Sequence, residues 1–217
     1  MGLFGLAVLA AFLPFALDDP VRVRAALVYN LARPPQIESL PAALLWLAGH
    51  LGIGRPVQAV LAFHSLDVTG PLAGPVVCLS TVALAGGMLL ACRRAWRGND
   101  TVGRSFVLTM LVVLVTSKLF SPQYMLWLFP LVAYVEGLRL RWVVLAVLTV
   151  AIYPNAYGFH TSLVTLPDQP TFMAAILARN AVLLVLTVVY LGLRVERRRP
   201  AAVAERASIP GLGRVDG

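Results

Sequence analysis

The stretch Lys118-Leu-Phe-Ser121-Pro122-Gln123-Tyr124-Met-Leu-Trp127-Leu-Phe-Pro130 lies inside an apolar run from about Phe106 to Val135. A lysine inside such a run is costly unless it works at a membrane boundary or in a polar cavity. The Ser-Pro-Gln-Tyr insert divides the run in two. Together these features predict a polar turn between two membrane helices, with a cation held against it. Ser121 is placed to cap the second helix, with Pro122 at its first position. That helix N-terminus would offer N–H groups and a partial positive charge to an anion. Lys118, expected at the end of the preceding helix, would suit a phosphate. The plainer reading is a tight hairpin with a snorkelling lysine and the belt aromatics Tyr124 and Trp127.

The rest of the chain agrees with a membrane setting. Of 217 residues, 59% are hydrophobic and only 13% charged, against about half and about a quarter in soluble domains. The apolar stretches are continuous rather than alternating, so helical spans are expected and a β-barrel is not. The fold class read from this pattern is all-α: a polytopic transmembrane bundle of about six spanning helices plus re-entrant or interfacial segments. The spans fall near 2–17, 71–92, 105–120, 123–137, 141–157 and 173–194. Two shorter apolar pieces, 37–51 and 57–63, are broken by Pro41, Gly49, Gly52, Gly54 and Pro56 and read as re-entrant or interfacial. A transmembrane domain over 1–194 is then followed by a disordered tail over 195–217.

Arginine placement sets the orientation. Arg93, Arg94, Arg97 and Arg104 share one loop, and Arg139 and Arg141 another. Arg194, Arg197, Arg198, Arg199, Arg206 and Arg214 follow the last apolar run. With six spans these regions share one side, which the positive-inside rule makes cytoplasmic. Localisation is therefore the plasma membrane, multi-pass, with a cytoplasmic tail. Asp18 to Gly70, the Ser121 turn and the loop after Gly158 face outward. The net charge of +8 sits in short loops and the tail, so a nucleic-acid partner is not indicated, whereas membrane lipid is.

Other candidate residues are few. Arg179-Asn180 interrupts the last apolar run. It reads either as snorkelling or as a second cation facing the same cavity as Lys118, suited to an anionic headgroup. In Gln36-Ile-Glu38-Ser39, Glu38 could start the following helix or bond the hydroxyls of a polar substrate. His50, His64 and His160 lack ligand spacing, so no metal site is expected. No nucleotide fingerprint is present, and no cofactor is implied. Asp18 and Asp19 read as solvated loop acids. Cys78 and Cys92 share one apolar segment and read as buried small hydrophobes, not a disulfide.

Lys118-x-x-Ser-Pro-Gln-Tyr-x-x-Trp-x-x-Pro130 resembles the central motif of bacterial polytopic mannosyltransferases of glycosyltransferase family 87, in the GT-C superfamily. Gln36-Ile-Glu38-Ser39 resembles an outer motif of that family. Arg179-Asn180 and, more weakly, Tyr153-Pro154 resemble two further ones, and order and spacing agree over nearly the whole chain. The resemblance implies an enzyme that moves a hexose, mannose in this family, from a polyprenyl-phosphate donor to a glycan or glycolipid acceptor on the outer face. It implies that Lys118 and Arg179 hold the donor phosphate, while Gln36, Glu38, Ser121, Gln123, Tyr124 and Asn180 shape the pocket. Such enzymes carry their catalytic carboxylate in the first outer loop of a chain about twice this length. The chain therefore looks like a C-terminal half, and the general base is expected outside it, upstream or on a second chain. An anion transporter and a non-catalytic membrane subunit remain as competing readings.

Overall fold

The computed structural model describes residues 2–156 and 169–192. Its helices are α1 (Gly2–Asp18), α2 (Pro20–Ala32), α3 (Leu40–His50), α4 (Ala73–Trp96), α5 (Val102–Thr116), α6 (Met125–Glu136), α7 (Leu140–Val150) and α8 (Pro170–Gly192). A 3-10 turn over Pro122–Tyr124 leads into α6. Two strands, β1 (Gln58–Ala62) and β2 (Ser65–Thr69), pair antiparallel between α3 and α4.

The fold is mostly helical but not all-α. The piece expected to be re-entrant at 57–63 is instead β1 of the hairpin, ending in a turn. Gln-Ala-Val-Leu-Ala is too short for a helix, and backbone pairing with Ser-Leu-Asp-Val-Thr satisfies its polar groups. Helix α2 was also not anticipated. Asp19 starts it: its Oδ1 accepts the Arg22 N–H at 2.9 Å, with Pro20 at the first helical position. The acidic pair thus contains a helix cap, not only solvated acids.

Among the described residues two helices, α4 and α8, are long and apolar enough to cross a membrane. Three of the other expected spans, near 105–120, 123–137 and 141–157, are shorter than drawn from sequence. Helix α5 stops at Thr116 and α6 has 12 residues, a rise of about 18 Å against a hydrocarbon core of roughly 30 Å. Helix α7 ends in a π turn in which Tyr153 is extended (φ −130°, ψ 128°). The following Pro154 disfavours helical geometry at Tyr153.

Helix α8 is the axis. Its C-terminal half packs Leu183, Leu186 and Tyr190 into a core with α5, α6, α7 and Phe120. Its N-terminal half packs Phe172, Met173 and Ile176 into a second core with α3, Leu66 and Val68 of β2, and Ile152. Arg179 and Asn180 sit at the junction. Helix α4 lies against α5 at a close approach, since a Cβ on Gly87 would come within 2.6 Å of Val112 Cγ1. Yet only Ala91 of α4 is buried, and Leu79, Val82 and Leu89 are more than 60% exposed. Cys78 is also exposed on this helix and Cys92 is half-buried, both unpaired, which corrects the expectation of two buried cysteines.

Three of the loop arginines, Arg94, Arg104 and Arg141, bond to groups around the end of α8. Arg94 and Arg104 both bond Asp100, and they donate to the Leu191 and Tyr190 carbonyls at the end of α8. Arg141 and Trp142 donate to Glu136, which also accepts the Tyr190 hydroxyl at 2.5 Å. These cations satisfy carbonyls and carboxylates at helix ends. Burial pushes the Asp100 carboxyl up, but the hydrogen bonds and charges of Arg94 and Arg104 outweigh it and hold the group below the usual carboxylate range. The tail over 195–217, most of the loop from 158 to 171, and His160 lie outside the described residues.

Candidate functional site

The opposite end carries a cavity of about 310 Å³. It is lined by Gln36 and Glu38, by His64 and Ser65 of the hairpin, by Ser121, Pro122 and Gln123, and by Tyr153. Two motifs far apart in sequence therefore share one cavity. Backbone pairing explains why. The Ile37 N–H donates to the Leu66 carbonyl and the Val68 N–H to the Pro35 carbonyl, so 35–37 lies along β2. On its other side the Gln36 N–H donates to the Lys118 carbonyl at 2.9 Å.

Glu38 does not cap α3. That work falls to Ser39, whose Oγ accepts the Ala42 N–H. Glu38 is instead buried against Arg179. Arg179 Nη1 donates to Glu38 Oε2 at 2.7 Å and Nη2 to the Glu38 carbonyl at 2.5 Å. Asn180 Nδ2 donates to that same carbonyl, and Phe120 lies under the guanidinium, 4.2 Å from ring centroid to Cζ. The guanidinium is fully buried, so Arg179 does not snorkel. The pair compensates two charges that would be prohibitive alone.

Lys118 is not at a helix end but two residues past α5. Its Nζ donates to the Leu31 and Arg33 carbonyls at 2.9 and 2.8 Å, closing the C-terminus of α2. Burial first, then the Arg33 guanidinium, hold the ammonium below the usual lysine range against the opposing pull of Asp67. Lys118 and Arg179 thus do not converge on one cavity, and each has protein partners. Ser121 stands at the cap position of the turn into α6, but its hydroxyl makes no capping bond there. Tyr124 stacks on Trp127, 5.0 Å between ring centroids, and is not on the cavity wall.

The hairpin supplies residues that sequence reasoning did not place in the site. Asp67 is fully buried, with Oδ2 at 3.7 Å from Arg33 Nε. Ser65 Oγ donates to Asp67 Oδ1 and accepts from Arg33 Nη2, at 2.5 and 2.6 Å. The tip residues Phe63 and His64 both have positive φ, 54° and 57°, as a two-residue hairpin turn requires. Neither is the Gly or Asn that adopts this region cheaply. Phe63 packs edge-on against Tyr29 of α2, centroids 4.8 Å apart, and His64 is left exposed on the cavity wall. The signal for this in sequence is slight: Ser-Leu-Asp-Val-Thr alternates polar and apolar, but Phe63-His64 is not a typical turn pair. His50 serves elsewhere, with Nδ1 3.0 Å from the Trp46 carbonyl. Among the described residues no cluster of His, Cys, Asp or Glu could hold a metal ion. No family model, curated protein or solved structure matches this chain.

Proposed function

We propose that this chain is part of a multi-pass membrane hexosyltransferase, moving a hexose, mannose by the family resemblance, from a polyprenyl-phosphate donor to a glycan or lipid acceptor. One observation carries the reading: Gln36 and Glu38 of one motif and Ser121 and Gln123 of another line a single polar cavity. That cavity lies at the end of the bundle away from the arginine clusters. By the positive-inside rule it faces outward, with the arginine end cytoplasmic and the plasma membrane as the location. The membrane setting draws on the exposed apolar surface of α4, which has one buried residue in 24. In water such a face is unfavourable by about 25 cal/mol per Å². Helices α4 and α8 serve as full spans, with α5, α6 and α7 packed around α8.

Neither Glu38, which lines the cavity, nor Asp67 of the hairpin is presented as a general base. Glu38 is ion-paired with Arg179, and Asp67 is buried beside Arg33. This favours a second reading, in which the chain is a subunit completed by a separate segment that brings a carboxylate. The transporter reading required Lys118 and Arg179 in one cavity, and no observation favours it now.

The test is sugar transfer from radiolabelled polyprenyl-phosphate mannose to membrane acceptors, using the full chain in nanodiscs. Transfer by the chain alone supports the first reading. Transfer only after adding a fraction of native membranes supports the second. Absence of transfer under both conditions overturns the enzymatic assignment.

A further inference from the structure

The wall of the cavity differs from that of an anion site. Among the described residues its polar side chains are two carboxamides (Gln36, Gln123), three hydroxyls (Ser65, Ser121, Tyr153), the imidazole of His64 and the carboxylate of Glu38. Among the described residues no lysine or arginine lines it. Among the described residues the neighbouring cations have other partners: Lys118 the carbonyls ending α2, Arg179 Glu38, and Arg33 Ser65 and Asp67. A phosphate is recognised by charge-assisted donors, which arginine above all provides. This wall instead presents neutral donors and acceptors, plus a carboxylate whose charge is already balanced by Arg179.

Such a set matches a ring bearing several hydroxyls. Carboxamides both donate and accept, and a fixed carboxylate accepts from hydroxyls. The Arg179 and Asn180 contacts hold the Glu38 backbone and side chain in place, so this acceptor is pre-oriented. Tyr153, about half exposed, offers an aromatic surface to the apolar face of a pyranose. The cavity, about 310 Å³, is at the small end of the range for ligand sites, roughly 300–1,000 Å³. His64 reaches the wall at the expense of a left-handed backbone at a non-glycine residue, held there by the Phe63–Tyr29 contact. Strain of this kind persists where the surrounding structure over-determines it.

We infer that this cavity holds a neutral pyranose ring, read by Gln36, Glu38, His64 and Gln123, and that the phosphate of a lipid-linked sugar lies outside it. The inference takes its site from the proposed function and specifies what that site binds. The ring has two sources, the sugar of the donor lipid or a sugar of the acceptor glycan. Lys118 and Arg179 are positioning residues in this account, acting through α2 and Glu38.

The experiment is equilibrium binding to the full chain in nanodiscs, independent of turnover. Three probes are compared: polyprenyl-phosphate mannose, bare polyprenyl phosphate of equal chain length, and a soluble mannose disaccharide. The variants are Gln123→Ala and His64→Ala, both at exposed positions, with an unchanged unfolding temperature as the control for folding. A site built to bond hydroxyls discriminates against the ligand that lacks them. If the ring is the donor's, the loaded lipid binds about ten-fold or more tighter than the bare lipid, and each variant erodes that ratio. If the ring is the acceptor's, the two lipids bind alike and the variants weaken the disaccharide. The inference is overturned if the variants change neither. A chain without transfer activity that passes this test keeps the inference and loses the enzymatic reading. An active chain that fails it does the reverse.

Discussion

At the arginine end of the bundle, Asp100 lies between Arg94 and Arg104, and Glu136 collects Arg141, Trp142 and the Tyr190 hydroxyl. At the other end, Glu38 and Arg179 form one buried pair beside an open polar cavity. Both ends bury charge, but in different service. The arginine network ties α4, α5, α6, α7 and the end of α8 together and satisfies carbonyls there. The Glu38 pair joins α3 to α8 and leaves neutral groups facing open space. Among the described residues the arginine network is therefore structural, and the candidate chemistry lies beside the Glu38–Arg179 pair.

The sharpest way to break this comparison is Arg179→Ala. It strands the Glu38 carboxylate and should destabilise by roughly 3–5 kcal/mol, measured by denaturant unfolding in detergent. The double replacement Glu38→Leu with Arg179→Met should lose much less, because no unpaired charge remains. A stable Arg179→Ala protein that no longer binds ligand would move the pair from the fold to the site.

Next is Asp100→Asn, which leaves two arginines short of a carboxylate and should cost roughly 2–3 kcal/mol. Its effect on ligand binding should be nil, which separates the two ends directly. The same carboxylate gives a pH signature. Its folded-state pKa lies below its unfolded value, about 3.9 for an aspartate. The contribution is complete at neutral pH and is lost as pH falls below about 4 through the folded pKa. Thermal unfolding from pH 7 to 3 should show an acid loss that Asp100→Asn largely removes.

Lys118→Met should cost about 1–2 kcal/mol through the two freed carbonyls of α2, read as a lower unfolding temperature. Sugar binding should survive if the residue acts only through α2. The smallest effect is expected of His64→Gly, which relieves a left-handed residue and should stabilise by about 1 kcal/mol while weakening sugar binding. Gain in stability with unchanged binding would remove His64 from the site.

Much of the helical plan was legible because long apolar runs leave few alternatives to helix. The positions of α4 and α8 and the turn at Ser121 follow from run length and from Pro122. The break at Tyr153 was not anticipated, since the apolar run over 141–157 continues through it, although Pro154 disfavours helix there. The hairpin was not, since Gln58 to Ala62 is apolar and short, and nothing local marks Phe63-His64 as a turn. Nor could the sequence separate a cavity cation from a helix clamp. Lys118 and Arg179 are chemically suited to phosphate, and their partners, the α2 carbonyls and Glu38, appear only in the fold.

By itself the sequence established a mostly helical chain with long apolar helices, arginine-rich loops, and polar residues concentrated at Gln36–Ser39, Ser121–Gln123 and Arg179–Asn180. Those are properties of composition and local periodicity. Tertiary structure decided which polar groups meet which. It placed Glu38 on Arg179, Lys118 on the end of α2, and His64 and Gln123 at one cavity. Such pairings depend on strand register, on where each helix ends and on what is left to satisfy buried charges, all of which arise between segments distant in the chain.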